Sequence, residues 1–451
     1  MTDELLRTGP IKRLYFSYAL PAVLGMLVSG VYIVVDGIFI GHKLGGLGLA
    51  AMNFAYPVYS LLVALGLLLG IGASALISRA RGAGEMAAAE SFLGSAFIFL
   101  LLLALILSIG GALFLEELMV FLGAEGEALD LATDYISVVL SLSLFVLLAT
   151  AFDHFLRNDG FPKLAMGLMM LGAGMNIILD AWFVLYLDWG LAGAAWATII
   201  SQVVIAFFFL SHFRSNKANV RLLFKGRTLS LARGREIFLT GLPAFIVEVS
   251  IALMIIFHNR EFMRYGELID VSAYGIVGYI ITIFIMVNIG LGNGMQPITS
   301  FNFGAGNMSR VWKTFRLALT VNLLFGIFGV FILFFYPERI ISVFMKADPL
   351  LLEVTKQGLF YYLPVILFTG MNMCMALFFI SIGKKRLALW ASLFRSNLYL
   401  YPLLFTLPLF LDKQGIWLAN PLAEFLALLT VGLIVFKEKK KMAADFVKKD
   451  T

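Results

Sequence analysis

Residues 172–187 read GAGMNIILDAWFVLYL. The run is apolar enough to form the second half of a membrane-spanning helix, yet it holds Asn176 and Asp180, four residues apart. At helical spacing these two side chains lie one above the other on a single face. A carboxylate at membrane depth is costly and by default marks a functional site. Whether the run is a membrane helix therefore decides both the fold and the chemistry.

The rest of the chain favours the membrane. Of its 451 residues 61% are hydrophobic and 14% charged, against about half and a quarter in a soluble domain, and the mean hydropathy is +0.94. Long apolar runs point to helices; a barrel would show short alternating strands. Runs of about 20 residues or more predict an all-α membrane protein of twelve transmembrane helices. They fall at 14–40, 50–78, 88–114, 129–156, 163–187, 190–212, 236–262, 270–302, 310–336, 350–381, 386–410 and 414–436. The N-terminus is basic and then apolar but lacks a small-residue cleavage site, so it is read as a retained first helix.

Basic residues alternate between loops. Arg7, Lys12 and Arg13 precede span 1, Arg79 and Arg81 follow span 2, and Arg157 and Lys163 follow span 4. Arg214, Lys217, Arg221, Lys225, Arg227, Arg233 and Arg235 follow span 6; Lys384, Lys385 and Arg386 follow span 10. The intervening loops are poor in bases, and LEELMVFLGAEGEALD holds five acids. The positive-inside rule then predicts a multi-pass protein with both termini cytoplasmic, in a bacterial-type plasma membrane. These loops also account for the net charge of +6, so no nucleic-acid partner is expected. The partners expected are membrane lipids and small molecules. The single cysteine, Cys374, lies in an apolar run and excludes a disulfide framework.

The chain repeats itself at an offset of 222. ALPAV (19–23) matches GLPAF (241–245), Gly70 and Gly72 match Gly292 and Gly294, and Gly82-Ala83-Gly84 matches Gly304-Ala305-Gly306. This predicts two homologous six-helix bundles in a parallel 6+6 repeat. The N-lobe covers 1–212, a linker loop 213–235, the C-lobe 236–436 and a basic tail 437–451. Parallel repeats are typical of transporters with a cavity between halves.

Depth along each span, at 1.5 Å per residue, brings Asp36, Tyr135, Asn176, Asp180 and Thr198 to one level in the outer half of the membrane. Two carboxylates in a low-dielectric pocket favour uptake of a proton. The alternative is a hard cation such as Na⁺ among the oxygens of Asp36, Asn176, Asp180 and Thr198, or mere helix cross-linking. In the second half, Glu248 and Glu424 lie near mid-membrane as candidates for a substrate or secondary proton site. Arg395 is the natural partner of Glu424. His258, at the repeat position of Asp36, is read as an interfacial or structural residue. Gly-rich runs at 66–84 and 288–307 follow no strand and lack the Lys-Ser/Thr of a phosphate loop; they read as helix-packing surfaces, with Pro297 expected to break or kink its helix. No cofactor is expected beyond a coupling ion, and no catalytic constellation argues for an enzyme.

At these residues the chain resembles the multidrug and toxic compound extrusion transporters. VDGIFIG (35–41), NIILD (176–180) and GMQPITSFNFGAG (294–306) resemble their signatures. The resemblance implies a monomeric antiporter that exports organic, often cationic amphipathic drugs in exchange for H⁺ or Na⁺. It implies an N-lobe cation site at Asp36, Tyr135, Asn176, Asp180 and Thr198. FIVEVS resembles an acidic C-lobe motif carried by Glu248, whose usual second acid is replaced here by Asn372. The alternatives are a lipid-linked saccharide flippase, or an uncoupled channel or receptor. A flippase would place bases in the cavity, where this chain has chiefly acids.

Overall fold

A computed structural model describes residues 3–223, 230–344 and 348–447. Lys225 and Arg227 of the linker, and Lys448 and Lys449 of the tail, lie outside these. The described residues are almost all helical, as backbone buried in lipid requires internal hydrogen bonding. The N-lobe contains α1 (Ile11–Gly45), α2 (Leu47–Gly82) and α3 (Met86–Phe121). Next come α4, in two pieces (Glu127–Ser141 and Ser143–Asn158), α5 (Pro162–Tyr186) and α6 (Gly190–Arg214). The C-lobe contains α7 (Leu231–Tyr265), α8 (Ile269–Gly304), α9 (Met308–Phe335) and α10, in two pieces (Pro349–Tyr362 and Pro364–Ser381). It closes with α11, in three (Lys385–Leu393, Phe394–Leu398 and Leu400–Thr406), and α12 (Pro408–Val447).

Among the described residues ten helices are long and apolar enough to cross a membrane, and the two pieces of α4, bent by 62°, make an eleventh. The interrupted α11 is the twelfth. The breaks have local causes. Gly45, at φ 60°, separates α1 from α2, and Asp412, at φ 46°, turns the chain at the start of α12. Pro364 has no N–H to continue the helix through Leu363. That break recurs where the repeat places it, since α4 bends at Leu142 and 142 + 222 = 364. Both fifth helices loosen into a π-turn, at Ala181–Tyr186 and Phe394–Leu398. π-turns are rare and cluster at functional sites. The expected break at Pro297 does not occur: α8 runs unbroken through it.

The lobes meet at the membrane face that carries both termini. Gly82 packs on the Phe301 carbonyl, and Gly304, its counterpart 222 residues on, packs on the Arg79 carbonyl. Gly72 meets Gly241, and Gly294 meets Ala19. Each contact is the image of another under the repeat, so the seam is built from the same patch twice, as in a two-fold interface. A Cβ on Gly82 or Gly304 would collide with the facing backbone. This is why the repeated glycines stand at the helix ends. Tyr15 donates to the Leu291 carbonyl at 3.2 Å and Gln296 to Ser74 at 3.3 Å across the seam.

The short helix Asp3–Thr8 and the turn after it strap that face. The Asp3 carboxylate meets the fully buried Arg81 of α2 at 2.5 Å. Asn302 of α8 donates to the Leu6 carbonyl at 3.1 Å, and Arg310 of α9 to the Gly9 carbonyl at 2.8 Å. Residues 3–9 thus bind both lobes at once. Away from this face the lobes diverge around a cavity of about 450 Å³.

Candidate functional site: an orphaned acid cluster beside the interlobe cavity

The five residues selected by depth converge in the N-lobe. Asp180 ends the regular part of α5 and Asn176 lies one turn earlier; both are buried, as are Tyr135 of α4 and Thr198 of α6. The Asn176 amide donates to the Thr198 hydroxyl at 3.3 Å. Tyr135 lies beside Thr198 and close enough to Asp36 and Asp180 to feel both charges. The two carboxylates are close enough to repel one another.

Several acceptors of this cluster are unsatisfied. Both carboxylate oxygens of Asp180, Oδ1 of Asp36 and Oδ1 of Asn176 are buried without a hydrogen-bond partner. Buried acceptors normally have partners, and each orphan costs about 1–3 kcal/mol, more when charged. Four of them in one lobe leave a pocket rich in unpaired acceptors, of a kind that a proton or a small cation would satisfy. Outside it, Lys43 at the end of α1 pairs with Asp188 after α5 at 3.0 Å, tying together the helices that carry the two aspartates.

The cavity lies next to this pocket. Asn176 and Thr198 line its wall, whereas Asp36, Asp180 and Tyr135 stand behind them. Met26, Met169, Met286 and Met373 contribute adaptable apolar surface, and Tyr32, Tyr56 and Tyr59 aromatic surface. Tyr32 and Tyr59 lie next to each other beside Asp36. Sequence reading missed this pair, although Tyr32 stands one helical turn before Asp36. It missed Gln202 too, one turn after Thr198, whose Oε1 is another buried orphan.

The C-lobe candidates separate. Glu248 lines the cavity. Glu424 does not; it is held by Arg395 Nε at 2.6 Å, by Asn372 at 2.6 Å and by Thr369 at 2.9 Å. Asn372 also donates to the Glu424 carbonyl at 2.8 Å, so it is turned away from the cavity and into this network. Glu424 is therefore the acid of a buried ion pair, and Arg395 alone of the three reaches the cavity wall. His258 is buried, stacked on Tyr274 at 4.9 Å and bonded to the Met254 carbonyl. Asp153 forms a two-point ion pair with Arg157, at 2.8 and 2.9 Å.

Twelve membrane helices in two repeated lobes, with a cavity between and an acid cluster beside it, define a membrane protein of the transporter type. The chain belongs to the MatE family, whose model matches residues 21–182 and 243–406. The two matched blocks begin 222 residues apart, the offset of the internal repeat. The chain is 28% identical over 454 residues to the multidrug export protein MepA of Staphylococcus aureus, covering 99% of this chain and 98% of that one. It is 26% identical to MepA of Staphylococcus haemolyticus, with the same coverage. Its fold is that of an outward-facing multidrug resistance MATE family transporter of the MOP superfamily, at TM-score 0.90, 24% identity, and 97% and 98% of the two chains. A MATE crystal structure in complex with MaL6 superposes at TM-score 0.90 and 23% identity, over the whole of both chains.

Proposed function

We propose that this protein is a secondary antiporter of the plasma membrane that exports organic, often cationic amphipathic drugs in exchange for H⁺ or Na⁺. The observation that carries the coupling is the set of orphaned oxygens on Asp36, Asn176 and Asp180. Asp36 and Asp180 are the coupling carboxylates; Asn176, Thr198 and Tyr135 orient them or contribute ligands. The MepA relatives and the MATE structures support the export of small molecules. With the termini cytoplasmic by the positive-inside rule, the closed seam faces the cytoplasm and the cavity faces outward.

Alternating access then has a physical route. An ion entering from outside relieves the repulsion between Asp36 and Asp180 and lets α1 and α5 repack. Because Asn176 and Thr198 belong both to the pocket and to the cavity wall, that repacking changes the surface the drug touches. An ion affects the equilibrium only through such differential contacts. Glu248 on the opposite lobe attracts a cationic drug into the cavity.

The test uses purified protein in liposomes with a fluorescent cationic dye, under a pH gradient and a Na⁺ gradient imposed separately. Dye movement driven by one gradient and lost in Asp180→Asn supports the proposal and names the ion. Movement that survives in Asp180→Asn and Asp36→Asn reduces the cluster to helix cross-links and overturns it.

A further inference from the structure

A second pocket, of about 620 Å³, lies at the feet of α1 and α5, on the face that carries the termini. These are the helices that hold Asp36 and Asp180 higher in the membrane, and they touch where Met169 lies against Gly25. Arg13 and Lys163 flank the pocket, and Leu5, Leu14, Phe161 and Leu164 form its apolar part. No carboxylate lines it among the described residues. Among the described residues, neither Arg13 nor Lys163 has an ion-pair or hydrogen-bond partner, although other bases on the same face do, including Arg7, Arg81 and Arg310.

Its position matches a lipid in shape as well as charge. Arg13 and Lys163 each lie within the first turn of their helix, at headgroup level. Above them Phe16 and Leu20 of α1 and Leu164 of α5 are exposed, and apolar, toward the surrounding membrane. A phosphate between the two bases leaves its acyl chains running up this apolar track. A free phosphate would not use the track. Basic pockets between membrane helices on the cytoplasmic side are the known chemistry of anionic headgroups.

We infer that this pocket binds one anionic phospholipid, with its headgroup phosphate between Arg13 and Lys163 and its acyl chains along α1 and α5. The bound lipid braces the feet of the two helices against the strap, whose Leu5 and Gly9 form the pocket's other wall.

The test is the thermal unfolding midpoint of the full chain in uncharged detergent, titrated with cardiolipin, phosphatidylglycerol or phosphatidylcholine, together with lipid retention in native mass spectrometry. The two anionic lipids should raise the midpoint and remain as one retained molecule; phosphatidylcholine should do neither. Arg13→Gln/Lys163→Gln should weaken this binding by roughly thirtyfold, from two basic contacts near the surface, while its lipid-free midpoint stays that of the wild type. If the double variant folds poorly, Lys163→Gln against Lys163→Arg reads the same charge. Arg214→Gln/Lys217→Gln, which removes equal charge elsewhere on that face, should leave binding unchanged. An equal shift from phosphatidylcholine or from inorganic phosphate, or an equal loss in the control pair, overturns the inference.

Discussion

The two lobes share a repeat, but one deeply buried acid in each is treated in opposite ways. In the C-lobe, Glu424 has Arg395, Asn372 and Thr369 around it. In the N-lobe, Asp180 is as deeply buried, yet neither oxygen has a partner. A paired charge is part of the framework. An unpaired one is a demand on the surroundings, met by whatever ion arrives. Within one architecture, the difference between a scaffold acid and a coupling acid lies in what stands opposite it.

The sharpest way to break this comparison is to neutralise each acid in turn. Asp180→Asn and Asp36→Asn are expected to reduce ion-driven dye efflux in liposomes by more than an order of magnitude without loss of folding. Glu248→Gln should reduce it only a few-fold. Efflux that responds most to Glu248 would move coupling to the C-lobe.

Stability should respond in the reverse order. Removing one partner of a buried ion pair strands the other, at about 3–5 kcal/mol. Arg395→Gln should therefore lower the thermal midpoint markedly, and Arg395→Leu/Glu424→Leu should recover most of the loss. Asp180→Asn, which strands nothing, should leave the midpoint level or raise it. An Asp180→Asn protein as unstable as Arg395→Gln would mean that Asp180 has a structural partner after all.

The seam offers a test of symmetry rather than of contrast. Gly82→Val and Gly304→Val should open the closed face to a similar extent, because their collisions are images of each other. With Cys374 replaced by Ser, labelling of Ser74→Cys by a membrane-impermeant maleimide should rise several-fold in both. Unequal labelling would show that one lobe yields and the other does not.

The smallest effect belongs to Thr198. Its hydroxyl accepts from Asn176, so Thr198→Ala removes a neutral contact worth about 0.5–1.5 kcal/mol. The half-saturating concentration of the coupling ion should rise by up to about tenfold, with the maximal rate little changed.

The amino-acid sequence by itself determined the membrane class, the helix count and the repeat, and it nominated five residues of the N-lobe. Apolar length, loop charge and the spacing of glycines and acids are properties of the chain read along its own axis. Asp36, Asn176, Asp180, Thr198 and Tyr135 could be placed at one level because rise per residue is fixed. Rotation about each helix and contact between helices are not fixed this way. Pro297 sits in an unbroken helix, α4 bends by 62° at a leucine, and a π-turn follows Asp180 directly. Only the tertiary structure decided that Glu424 is paired and Asp180 is not, that Asn372 turns from the cavity, and that the lobes close on the face of the termini. Each of these depends on which groups from distant spans stand opposite one another, and that follows from packing rather than from position along the chain.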